Sequence, residues 1–152
     1  MPKMPNWCEG VLKIRGEKNK LLEFLTKGLS PLSGTAEKSP PEVDEYGYIK
    51  LSDENYINET TRGFVYADDE LWINNEVEKP VVFLNAKFAW GVRANELLEI
   101  CKQYNVDMKI YAFECGMCFN QDIEIVDKKI VRNKIIEFKD YEWECINPIL
   151  GG

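Results

Sequence analysis

Apolar residues recur along this chain with three different periods, and each period predicts an element. The densest signal lies in residues 80–126. Val81, Val82, Phe83 and Leu84 form a continuous apolar run, followed by Ala86, Phe88 and Ala89. Continuous apolarity predicts a central strand buried on both faces. From about Val92, Ala94, Leu97, Leu98, Cys101 and Tyr104 recur at offsets of three and four, the stripe of a helix. Asn105 suits its end, because Asn tolerates the left-handed conformation there. The period then switches to two. Val106, Met108, Ile110 and Ala112 share one face, and Asp107, Lys109, Tyr111 and Phe113 the other. Gly116 is expected to supply the unusual backbone angle of a tight turn. Phe119, Gln121, Ile123 and Ile125 resume the alternation, which predicts an antiparallel hairpin.

The flanks carry weaker versions of the same patterns. Residues 8–15 predict a strand with Cys8, Leu12 and Ile14 inward and Glu9, Lys13 and Arg15 outward. Residues 18–29 predict a helix through Leu21, Leu22, Phe24, Leu25 and Leu29, ended by Gly28 and Pro31. Residues 30–45 predict a loop, with Pro40-Pro41 excluding helix and central strand. Residues 46–51 and 63–67 predict short strands, and Leu71, Trp72 and Ile73 predict that this middle segment docks on the scaffold. Residues 129–138 predict a further strand, and 139–147 extend the sheet or pack against it. Two strand-helix units on one antiparallel sheet are the ferredoxin-like arrangement. The expected fold is therefore α+β: a ferredoxin-like antiparallel sheet with two helices on one face, extra C-terminal strands, and an acidic segment inserted at about residues 30–79. At 152 residues one domain is expected.

Composition narrows the chemistry. The chain has no histidine, which removes the commonest general base and metal ligand. Ser-His and Cys-His nucleophilic pairs are excluded within one chain. Five cysteines, an odd number, fit a reducing compartment better than a disulfide framework. With no apolar run long enough for a membrane span and no apolar core of a signal peptide, the expected location is the cytoplasm, with no membrane partner. Residues 37–78 hold twelve Asp or Glu against three Lys or Arg, so −9 of the total −7 resides there and the remainder is about +2. Such acidity predicts no direct nucleic-acid binding.

Met4-Pro5-Asn6-Trp7-Cys8, followed by Leu12, Ile14 and Gly16, resembles the opening of the YubB-type family of phage, plasmid and prophage proteins. Trp90-Gly91 and the Glu114, Gly116, Phe119 spacing are similar too. The resemblance covers both ends of the fold and not residues 30–79, and Gly10 stands where the family commonly has Asn or another polar residue. It implies a mobile-element origin and a ferredoxin-like domain. It implies no catalytic residue.

Several residues are candidates for chemistry. Cys115-Gly116-Met117-Cys118 is a single C-x-x-C between strands. It cannot close a zinc site alone and lacks the helix N-terminus of a redox pair, so a turn is the preferred reading. Trp90, Gly91 and Arg93, at a strand-to-helix junction, offer a weak anion site. An acidic and aromatic surface on the middle segment offers a partner site, comprising Asp44, Glu45, Asp68, Asp69, Glu70 and Trp72, because aromatics anchor interfaces and charge steers association. No catalytic residue, metal site or cofactor is assigned. The function expected is that of a protein-binding module of phage or mobile-element origin, such as an anti-CRISPR-like counter-defence inhibitor. Its partner would be a basic host protein, such as a nuclease or CRISPR effector. The alternatives are a small-ligand (nucleotide) binder or sponge, and a histidine-free enzyme acting through Glu114, Tyr111 or the cysteines. An unpaired sheet edge would also suit a homodimer.

Overall fold

The computed structural model describes residues 5–32, 43–67 and 70–152. In chain order the elements are β1 (Trp7–Arg15), α1 (Lys18–Lys27), β2 (Leu29–Pro31), β3 (Tyr48–Ile49), β4 (Glu54–Ile57), β5 (Gly63–Tyr66), β6 (Leu71–Trp72), β7 (Val81–Ala89), α2 (Ala94–Tyr104), β8 (Asp107–Glu114), β9 (Phe119–Val126), β10 (Lys129–Glu137) and α3 (Tyr141–Glu144). The fold is mixed α+β with an antiparallel sheet. Eight strands run in the order β10-β9-β8-β1-β7-β5-β4-β2, and β3 pairs with β6 in a separate two-stranded sheet.

Alternation decides which face of the large sheet is covered. Leu12 and Ile14 of β1, Val82 and Leu84 of β7, Met108 and Ile110 of β8, and Ile123 and Ile125 of β9 all point to one side and are buried. They share one core cluster with Leu21, Phe24 and Leu25 of α1 and with Leu97, Ile100 and Cys101 of α2. Phe24 and Tyr104 meet edge to face at 5.5 Å where the two helices touch. Asn105 ends α2 with φ 54°, the left-handed stop its chemistry suits.

The opposite face is open, and this corrects the expectation for residues 81–84. β7 is central, paired by β1 and β5. Its apolar run is nevertheless buried on one side only, and Phe83 is 57% exposed. Helices cover the even-numbered positions of β7, while among the described residues no element covers Phe83.

Two further expectations are revised. The middle segment is less an insertion than a supplier of strands, because β4 and β5 lie within the large sheet and Val65 and Ile57 reach its core. Part of the loop expected at 30–45 is strand β2, and residues 33–42 lie outside the described residues. Of the two readings of residues 139–147, packing holds: Tyr141–Glu144 form α3, and Tyr141 and Cys145 are buried. The Tyr141 hydroxyl donates to Asn120 Oδ1 at 2.7 Å, and the Gly151 amide donates to Glu9 Oε2 at 2.9 Å. The C-terminal segment thereby covers one end of the open face. Among the described residues no helix is long and apolar enough to cross a membrane.

Candidate functional site

The β3–β6 sheet builds a small knob from few residues. Asp44 starts it: its Oδ1 accepts from the amides of Tyr46 and Tyr48, both at 2.9 Å. That pattern is an Asx turn, which fixes the chain as a backbone turn would. Gly47 follows at φ 91°, and a Cβ there would sit 2.3 Å from the Ile73 carbonyl oxygen. The close approach lets the Ile73 amide donate to the Gly47 carbonyl at 2.8 Å and lets Tyr48 pair with Trp72. The Trp72 indole donates to the Tyr46 carbonyl at 3.1 Å.

The knob has two unlike sides. Ile49 and Ile73 are fully buried and belong to the main core. Tyr46, Tyr48 and Trp72 are 69%, 42% and 52% exposed. Glu45 and Glu70 are exposed beside them. The structure thus brings Asp44, Glu45 and Trp72 together, with Asp44 engaged in the turn. Asp68 and Asp69, like Met4 of the N-terminal motif, lie outside the described residues. Tyr46 and Tyr48 complete the aromatic set.

The junction of Trp90, Gly91 and Arg93 is held from within. Trp90 adopts φ 68° and is exposed. Buried Gln121 reaches Val92, two positions on, with both ends of its amide, Oε1 accepting from the Val92 amide at 2.7 Å and Nε2 donating to the Val92 carbonyl at 3.0 Å. The Val92 amide is therefore taken. The Arg93 guanidinium donates to Thr61 Oγ1, whose own hydroxyl donates to Glu96 Oε2 at 2.7 Å.

The residues of the N-terminal motif meet around this junction. The Asn6 carbonyl accepts from the Trp90 amide at 2.8 Å. Trp7 packs edge to face on Phe64 at 5.8 Å, with the Lys87 ammonium 4.5 Å from its ring centroid. Cys8 is fully buried with its thiol 3.6 Å from Gln121 Oε1. Burial, with the nearby Glu114 carboxylate, pushes the Cys8 thiol up to about 12. These contacts explain the motif as packing.

The C-x-x-C segment forms the turn between β8 and β9. The left-handed angle is at Cys118, φ 61°, and not at Gly116 as expected. Gly116 is required for space: a Cβ would lie 2.8 Å from Glu114 Oε1 and 2.9 Å from the Asn6 side chain. The buried Glu114 carboxylate accepts from the amides of Gly116 and Met117 at 2.6 and 2.9 Å, and so ties the turn. The Cys115 thiol donates to the Gly151 carbonyl at 3.1 Å, and its pKa is raised by burial and by Glu114. At Cys145 burial pushes the same way, but hydrogen bonding, first of all from the Asn120 amide at 3.4 Å, outweighs it and lowers the thiol below its ordinary value. Among the described residues no three Cys, Asp or Glu side chains converge to hold a metal ion.

No protein-family model, curated protein or solved structure matches this chain.

Two exposed sets escaped the sequence pattern. Trp143, Ile146 and Ile149 are almost fully exposed on the C-terminal segment, while Tyr141 and Cys145 anchor it. Their three-residue spacing was a visible signal. The second set lies on the open sheet face and depends on strand register, which the sequence does not display.

Proposed function

We propose that this chain is a protein-binding module whose contact surface is the acidic, aromatic knob of β3 and β6. One observation carries this: three large aromatic side chains are exposed on a platform whose other side is locked into the core through Ile49 and Ile73. Rigid, exposed Trp and Tyr are the side chains that dominate interface energies. Ordering them in advance removes part of the entropy that binding otherwise costs. The −9 carried by residues 37–78 suits a basic partner and predicts association that weakens with salt.

The narrower form of the proposal is a counter-defence inhibitor of mobile-element origin that competes for the nucleic-acid groove of a basic host nuclease or CRISPR effector. The charge distribution and the YubB-type resemblance of Asn6-Trp7-Cys8 and Trp90-Gly91 support it. A ferredoxin-like core is the matching fold proposal, supported by the order β8-β1-β7-β5 with α1 following β1 and α2 following β7.

The test is capture from a bacterial lysate at two salt concentrations, repeated with Trp72→Ala and with Glu45→Lys/Glu70→Lys, and then with the purified partner. A basic protein held by the wild type should bind about 30-fold more weakly to Trp72→Ala, the effect of losing an interface hot spot. The charge reversal should lower the association rate and flatten the salt dependence. Equal affinity of all variants for the captured protein would move the contact surface elsewhere.

A further inference from the structure

Strand register arranges the open face in rows. One row crosses β7, β1, β8 and β9 as Phe83, Lys13, Lys109 and Glu124, and the next as Asn85, Val11, Tyr111 and Asp122. Lys13 and Lys109 are direct partners across antiparallel strands. Like charges placed directly opposite destabilise a sheet pair. Their relief is small. Lys109 Nζ lies 3.8 Å from Glu124, whose other oxygen is engaged by Arg132 at 2.9 Å. Lys13 has no ion-pair partner among the described residues, and its ammonium stands 5.9 Å from the Phe83 ring centroid. The paired lysines are therefore a place where an added anion would gain, and at Lys13 no ion pair among the described residues would have to be displaced.

A groove of about 520 Å³ lies over this pair and the row beside it. Its floor includes the exposed side chains of Val11 and Tyr111, and Asn147 and Leu150 of the C-terminal segment form one wall. Tyr66 also lines it, and the Tyr66 hydroxyl is buried without a hydrogen-bond partner among the described residues. A buried hydroxyl left unpaired is unfavourable, which a ligand acceptor would correct. Glu9 lines the groove too, where its carboxylate accepts from the Gly151 amide at 2.9 Å at the C-terminal wall. The groove thus joins a cationic end at Lys13 and Lys109, an apolar and aromatic floor, and a polar edge of Asn85 and Tyr66.

We propose that this groove binds a small anion carrying a planar ring, of the class of a nucleoside monophosphate. The phosphate sits between Lys13 and Lys109, the ring lies on Val11 and Tyr111, and the ring's polar edge faces Asn85 and the Tyr66 hydroxyl. A single nucleotide is favoured over a nucleic-acid strand, because Asn147 and Leu150 of the C-terminal segment bound the groove and the chain as a whole carries −7. The site is distinct from the aromatic knob and does not depend on it.

The experiment is a titration with AMP, GMP, CMP and UMP, followed by calorimetry and by amide chemical shifts of the full chain. Nucleosides and inorganic phosphate are the controls. At least one nucleotide should saturate with Kd below about 1 mM. The shifts should centre on Val11, Lys13, Lys109 and Tyr111. Lys13→Gln should weaken binding about tenfold, the effect expected of losing a charged hydrogen bond. The same substitution should raise the melting temperature of the free protein, because it removes the like-charge pair, so a misfolded variant would be recognised at once. Tyr66→Phe should weaken nucleotide and nucleoside alike and leave inorganic phosphate unaffected. Failure of all four nucleotides to saturate, undiminished binding by Lys13→Gln, or shifts centred away from the groove would overturn the proposal. So would a single-stranded oligonucleotide that binds more tightly than any monomer.

Discussion

Gln121→Leu tests whether the β7–α2 junction is held from within. The substitution keeps the side-chain volume nearly unchanged and deletes both amide atoms. It therefore strands the Val92 N–H and C=O, which Gln121 engages at 2.7 and 3.0 Å in a site where Val92 is only 5% exposed. Each buried backbone group left unpaired costs about 1–3 kcal/mol. Two of them, offset in part by the apolar burial of Leu, give a net loss of about 3 kcal/mol. For a chain of this size that is a fall in melting temperature of about 6–12 °C. Urea unfolding followed by circular dichroism gives the free energy, and amide hydrogen exchange at Val92 gives the local consequence. Exchange at Val92 should accelerate well beyond that of Leu12 or Ile110, which the junction does not hold. A loss below about 1 kcal/mol with unchanged protection at Val92 would refute the reasoning, since it would mean water or a shifted backbone satisfies both groups.

Two further outcomes concern the buried thiols and the β8–β9 turn. Cys8 and Cys101 are both raised from 9.0 to about 12, chiefly by burial, so their neutral forms stabilise the fold fully below pH 9 and that contribution is lost as pH rises through about 12. By pH 10.5 each thiol should account for about 2 kcal/mol of lost stability, and Cys101→Ala should show a correspondingly shallower decline between pH 8 and 10.5; parallel declines would reject it. Gly116→Ala should destabilise by about 1–3 kcal/mol, because its Cβ would press on Glu114 Oε1 and Asn6 and loosen the turn that Glu114 ties. An unchanged urea midpoint would show that the turn yields freely.

Where one face of an element is buried, the sequence shows it. Leu12, Ile14, Met108 and Ile110 alternate with Lys13 and Lys109, and burial follows that alternation. The stop of α2 at Asn105 was legible for the same reason: one residue's conformational preference decides it. β3 and β5 fell within the short strands expected at 46–51 and 63–67, but β2 and β6 were not legible, because they are too short to display a period and exist through partners distant in sequence. The run at residues 81–84 misled because every residue in it is apolar, so only the absence of a cover over Phe83 distinguishes its two faces. At the knob, the acids and aromatics were visible as composition. Their convergence was not, because the Tyr48–Trp72 pairing depends on the Asp44 turn and on Gly47 meeting Ile73.

The charge total conceals an acidic segment and, apart from it, a locally cationic pair of lysines. A net −7 argues against any anion as a partner, and for the segment 37–78 that holds. On the open face it does not, because the register opposes Lys13 to Lys109 while the acids of β9 are drawn toward Arg132 at 2.9 and 3.1 Å. Fields from exposed charges fade over about 8 Å at physiological salt. A knob that attracts basic protein and a groove that attracts a small anion can therefore coexist on one acidic chain. Salt should weaken both, but charge reversal at Glu45 and Glu70 should leave nucleotide titrations unmoved, and Lys13→Gln should leave protein capture unmoved. Cross-effects between the two would mean that one surface, not two, carries the binding.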